Sequence, residues 1–189
     1  VSWLGSIARS EKPQRVLRRE ALFLGDSITQ FGFSTEEGRA PGWISILADE
    51  FSRKVDIINR GYAGYNTKMM RAILPVVLGE VRREKLQFAT LCLGAADSGH
   101  LVDDPMSSHV PLDEFEANLM EIGRQLKAMA EVLIIISPPP VDRALGLKGG
   151  PHWRTMENTL EYMQAAARVA SRLEVQFLDI FGEMQACGE

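Results

Sequence analysis

The apolar run Ala21-Leu22-Phe23-Leu24 stops at Gly25, and an acid and a hydroxyl follow at once, Asp26 and Ser27. A buried strand that ends this way presents its next side chain to solvent at the start of a helix. There the leading backbone N–H groups lack helical partners, and the helix dipole favours negative charge. A serine so placed can attack an acyl carbon while those N–H groups receive the oxygen that becomes negative. The same residue types also make an ordinary helix start, in which Ser27 is only an N-cap. Both readings stand on this stretch alone.

Other chemistry-bearing residues are few. Cys92 lies inside an apolar run and Cys187 near the end, too few for a disulfide framework or a cysteine zinc site. Asp97, Asp103 and Asp104 share a polar segment without the spacing of a calcium loop, so they read as solvated acids. Of the three histidines, His109 precedes a helix in a proline-containing turn and reads as a structural hydrogen-bonding group. His100 and His152 lie in loops. A base for Ser27 must be held within hydrogen-bond distance of it, and neither loop position promises that.

Positioning these residues falls to alternating strands and helices. The first strand runs to Leu24. Trp43, Ile44, Leu47, Ala48 and Phe51 recur at helical spacing, predicting a helix over Gly42–Ser52. Val55–Arg60 is a β-branched second strand. The turn Gly61–Thr67 follows, with Thr67 as N-cap of a helix that Pro75 should kink or divide. Phe88–Leu93 is a third strand, ended by Gly94-Ala95-Ala96-Asp97. Asp113 with Glu116 predicts a reciprocal cap for the next helix. Val132–Ile136 is the fourth strand, Met156–Ala170 marks the last full helix, and Val175–Ile180 is the fifth strand. This order implies right-handed βαβ units. The expected fold is a three-layer α/β/α sandwich on a five-stranded parallel sheet of flavodoxin-like order 2-1-3-4-5. Ligands in such sheets bind beyond the C-terminal strand ends, where the turns bearing Ser27, Gly64 and Gly94–Asp97 converge.

These turns resemble the signature blocks of the SGNH, or GDSL, hydrolases. Phe23-Leu24-Gly25-Asp26-Ser27-Ile28-Thr29-Gln30 is similar to the first block and Asn59-Arg60-Gly61-Tyr62-Ala63-Gly64-Tyr65-Asn66-Thr67 to the second. Leu93-Gly94-Ala95-Ala96-Asp97, followed by His109-Val110-Pro111-Leu112, is most similar to the isoamyl acetate-hydrolysing esterase branch. The resemblance implies a carboxylic ester hydrolase for small acyl esters, with Ser27 as nucleophile and neither metal nor cofactor. It implies oxyanion donation from the backbone N–H groups of Ser27 and Gly64, and site support from Asp26 and Asp97. Two departures stand out. Ala96 occupies the position of the family's third oxyanion donor, an asparagine, and losing one such donor typically costs about 10²–10³ in turnover. The family's Asp-x-x-His beyond the fifth strand has no counterpart before Glu189. Without a triad histidine, turnover can fall by about 10⁶. A non-catalytic ligand- or protein-binding domain is therefore the alternative expectation.

The chain divides into a basic leader, 1–19, and a single domain, 20–189, expected to lack the family's last helix. That leaves one sheet face open to a protein partner. The leader reads as solvated, or as a targeting remnant. The net charge of −4 argues against nucleic-acid partners, and no apolar run is long enough to span a membrane. The partner expected at the crevice is a small-molecule ester, and the expected compartment is cytoplasmic.

Overall fold

The computed structural model describes residues 18–35, 40–81, 86–99, 108–141 and 154–187. Five parallel strands form one sheet in the order β2-β1-β3-β4-β5. They are β1 (Arg19–Gly25), β2 (Val55–Gly61), β3 (Leu86–Cys92), β4 (Ala130–Ile136) and β5 (Gln176–Leu178). The helices are α1 (Ser27–Gln30), α2 (Trp43–Glu50), α3 (Thr67–Gly79), α4 (Leu112–Met129), α5 (Met156–Leu173) and α6 (Ile180–Ala186). A single 3₁₀ turn, Phe31–Phe33, continues α1. The expected fold class and strand order are those observed.

The sheet's register sets the site. Gly25 stands opposite Gly61 on β2 and Cys92 on β3, and Cys92 stands opposite Ile136 on β4. The C-terminal ends of the strands are therefore level, and the turns that follow them meet at one rim. β1 is central to that arrangement. Its residues from Glu20 to Gly25 are all buried, as a parallel strand covered on both faces requires.

The two faces are covered unequally. Leu22, Leu24, Leu91, Leu133 and Ile135 pack with α3, α4 and α5 into the main core. On the opposite face Ala21, Phe23 and Val55 pack with Ile44 of α2. There Phe23 meets Trp43 and Phe88 edge-on, at centroid distances of 5.5 and 5.6 Å. Such pairs add about 0.5–1.5 kcal/mol each beyond the area they bury.

Several local expectations are corrected. Asn66, not Thr67, caps α3, its side chain accepting from Met69 N–H, while Thr67 turns inward. Pro75 does not divide α3, which runs as one element over Thr67–Gly79. Asp113 does not cap α4: the cap position is Pro111 without a side-chain bond, and Asp113 lies in the first turn. Glu116 instead accepts from Arg168 of α5 at 2.6 Å. The fifth strand is shorter than Val175–Ile180, because Asp179 caps a further helix, α6, by accepting from Gly182 N–H. The proposed leader, apart from Arg18 and Arg19, lies outside the described residues, as do His100, Asp103, Asp104 and His152.

Candidate active site

Ser27 owes its place to a close approach at Gly25. A Cβ there would lie 2.2 Å from Thr29 Oγ1 and 2.5 Å from the Cys92 carbonyl oxygen, so only glycine lets the chain turn against β3. Asp26 then caps α1: its Oδ1 accepts from Ile28 N–H at 2.9 Å, and its own N–H donates to the Cys92 carbonyl at 3.3 Å. The N-cap is thus Asp26, which corrects the reading of Ser27 as a cap. Ser27 is the first residue of α1 and half-buried. Its N–H finds no acceptor among the described residues. Burial pushes the Asp26 carboxyl up to about 6, against the Ile28 amide and the Arg154 guanidinium, which favour its ionised form.

The second turn, Tyr62–Tyr65, is tied to the first at several points. Tyr62 N–H donates to the Gly25 carbonyl at 2.9 Å, and Ala63 N–H to Gln30 Oε1 at 2.7 Å. Asn59 bridges from β2, donating through Nδ2 to the Thr29 carbonyl at 2.9 Å and accepting at Oδ1 from Gly61 N–H. Tyr65 N–H closes the turn on the Tyr62 carbonyl at 3.1 Å, with Gly64 at φ +81°. A positive φ at the third residue is the type II pattern, in which the central N–H stays outside the turn's own bond. Accordingly, Gly64 N–H has no acceptor among the described residues, and a Cβ built there meets nothing within 4 Å.

Asp97 belongs to the third turn and faces inward. It is fully buried, and its Oδ1 accepts from both Thr67 N–H at 2.9 Å and Thr67 Oγ1 at 2.5 Å. Asn118 Nδ2 donates to Thr67 Oγ1 at 3.3 Å, and Arg71 Nη1 donates to Asn118 Oδ1 at 2.7 Å, extending the network to the surface. Asp97 Oδ2 has no partner among the described residues. Burial raises this carboxyl to about 7 despite the Thr67 bonds. Ala96 is half-buried, and its carbonyl accepts from Ser108 Oγ at 3.0 Å. A methyl side chain donates nothing to a crevice ligand. His109 Nδ1 lies 2.5 Å from the Gly99 carbonyl oxygen, in keeping with its structural reading.

The structure therefore ties the turn that carries Asp26 and Ser27 to the turn that carries Gly64 through the bonds of Tyr62, Ala63 and Asn59, while Asp97 is bonded to Thr67. Four participants carried no sequence signal for the bonds they make here. Gln30, Asn59 and Thr67 are ordinary polar residues until the strand ends are aligned. Arg154 follows a glycine-rich segment, yet its Nη1 donates to the Ala95 carbonyl at 3.2 Å and its charge acts on Asp26. Beneath α1, Ile28, Trp43, Cys92, Ile136, Leu178 and Met184 line an apolar groove of about 510 Å³. No group of three or more ligating side chains suited to a metal ion occurs among the described residues. None of the described helices is long and apolar enough to cross a membrane.

Residues 23–189 match the GDSL-like Lipase/Acylhydrolase family. The chain is 37% identical over 186 residues to the mouse isoamyl acetate-hydrolyzing esterase 1 homolog, covering 94% of this chain and 72% of that one. It is 35% identical over 172 residues to the Saccharomyces cerevisiae isoamyl acetate-hydrolyzing esterase, covering 83% and 68%. Among solved structures, a lipase/acylhydrolase from Enterococcus faecalis superposes with TM-score 0.66 at 20% identity, covering 89% of this chain and 79% of that one. A catalytic mutant of Axe2, an acetylxylan esterase from Geobacillus stearothermophilus, gives TM-score 0.66 at 19% identity, covering 88% and 80%. With a family match over 23–189, more than a third of positions identical to the mouse relative and a shared fold, this chain belongs to the GDSL-like lipase/acylhydrolase family.

Proposed function

We propose that this chain is a carboxylic ester hydrolase that cleaves small acyl esters through an acyl-enzyme on Ser27. The observation that carries the reading is the pattern of amide use around Ser27. In the Gly64 turn the flanking N–H groups of Ala63 and Tyr65 are engaged, while those of Gly64 and Ser27 have no acceptor among the described residues. Ser27 Oγ attacks the ester carbonyl, and the oxygen that gains charge takes the Ser27 and Gly64 N–H groups. Collapse of that intermediate expels the alcohol, and water then releases the acid. The names of the mouse and yeast relatives point to a short acyl group on a small alcohol as the substrate class.

One feature lowers the expected rate. Ala96 supplies no side-chain donor to the oxyanion. The apolar groove under α1 favours a second reading, in which the domain binds a ligand or protein without turnover. Labelling with a fluorophosphonate and assay of short-chain p-nitrophenyl esters separates the two. Slow labelling and slow hydrolysis, both abolished in Ser27→Ala, are expected. Hydrolysis that survives Ser27→Ala would remove Ser27 from the mechanism, and a chain that never labels would favour the binding domain.

A further inference from the structure

The Gly64 turn is held by a side chain that belongs to the nucleophile's own helix. Ser27 and Gln30 are the first and last residues of α1. Gln30 Oε1 accepts from Ala63 N–H at 2.7 Å, and that amide is the one immediately before the Gly64 peptide. We propose that Gln30 is a positioning residue that sets where the Gly64 N–H points relative to Ser27. The inference rests on the esterase reading above.

The backbone at Gln30 is fixed from three directions. Its N–H donates to the Asp26 carbonyl at 2.9 Å. Asn59 Nδ2 lies 2.9 Å from the Thr29 carbonyl and 3.4 Å from that of Gln30. Gly61 packs so closely that a Cβ on it would sit 2.0 Å from Gln30 N. The carboxamide therefore reaches Ala63 from an anchored base, so its bond transmits the position of α1 to the turn. Ala63 and Gly64 are exposed, and water would satisfy the Ala63 N–H as readily as Gln30 does. A water, however, would leave the Ala63–Gly64 peptide restrained only by the bonds of Tyr62 and Tyr65 on either side of it. Geometry of that kind matters because an oxyanion donor acts only when held about 2.7–3.1 Å from the oxygen's final place. The neutral amide also suits the location. A carboxylate would accept from Ala63 equally well, but would set a negative charge beside the place where the oxyanion forms.

Gln30→Met removes the acceptor and keeps the length, while Gln30→Glu keeps the acceptor. Amide hydrogen exchange reads the brace directly and needs no turnover. In Gln30→Met, the Ala63 amide should exchange roughly 5–10-fold faster than in the parent chain, the factor expected for one net hydrogen bond. Gln30→Glu should retain the parent's protection. The fluorophosphonate rate should fall about tenfold in Gln30→Met with an unchanged melting temperature, since one misaligned donor weakens transition-state binding. Unchanged exchange in Gln30→Met would overturn the brace. Faster exchange with an unchanged labelling rate would overturn the positioning role. A parent that does not label at all would instead remove the esterase reading, and the exchange result would still decide whether Gln30 holds the turn.

Discussion

Two buried carboxylates flank the candidate site, and they are held by different means. Asp26 caps a helix and has the Arg154 charge nearby, whereas Asp97 relies on Thr67 and leaves one oxygen unpartnered among the described residues. For Asp97 this arrangement makes folding pH-dependent. Below about pH 4 the carboxyl is protonated in folded and unfolded chains alike. As pH rises from about 4 to 7 the unfolded chain ionises while the folded carboxyl, raised to about 7, keeps its proton. Folding therefore loses stability over that window, on the order of 4 kcal/mol, and the loss is complete above pH 7. Asp97→Asn keeps an acceptor for Thr67 and removes the titration. It should melt close to the parent at pH 4 and higher than the parent at pH 8, by on the order of 5–10 °C. A gap between the two melting curves that stays constant from pH 4 to 8 would show that Asp97 does not titrate in this window.

At the level of elements, the turn from β1 to α1 is the joint on which everything else depends. Gly25 touches Thr29 and the Cys92 carbonyl at once, so a methyl group has no place to go without moving β3 or α1. Gly25→Ala should therefore lower stability by about 3 kcal/mol or more, read as a fall in the urea midpoint with an unchanged slope. A midpoint equal to the parent's would mean that the joint yields more easily than its contacts indicate. This joint was legible in the sequence, since an apolar run ending in Gly-Asp-Ser has few other uses. So were the sheet order and the three converging turns, because strand and helix periodicities are strong in each segment. What sequence did not reveal were the residues whose role depends on register. Gln30 reaches Ala63, and Asn59 reaches Thr29, only because Gly25 and Gly61 end level on neighbouring strands. Thr67 reads as a cap by position, yet its hydroxyl is taken by Asp97 across the sheet, and Asn66 becomes the cap instead. The helix over Ile180–Ala186 was missed because its start depends on Asp179 acting as a cap rather than ending a strand.

Across the whole molecule the imbalance between the two sheet faces has a measurable consequence. Register places Phe23, Thr90, Ile134 and Gln176 in one row, and Gly25, Cys92, Ile136 and Leu178 in the next, on the face that carries α2. Packing of α2 reaches β1, β2 and Phe88 of β3. Farther along that face Val132 is 44% exposed, and Leu178 and Met184, which line the groove, are 46% and 54% exposed. Parallel sheets are ordinarily covered on both faces, so apolar side chains left exposed beside a 510 Å³ groove should take up an apolar dye. The native chain should therefore bind 8-anilinonaphthalene-1-sulfonate below its melting transition. Replacing Val132→Thr, Leu178→Thr and Met184→Gln together should cut the dye fluorescence by more than half. The melting temperature should change little, because these side chains already face solvent. Ile46→Thr, an equally exposed apolar site on α2, serves as the control and should leave the signal intact. Equal fluorescence from the triple variant and the control would place the dye elsewhere and remove this face as a binding surface.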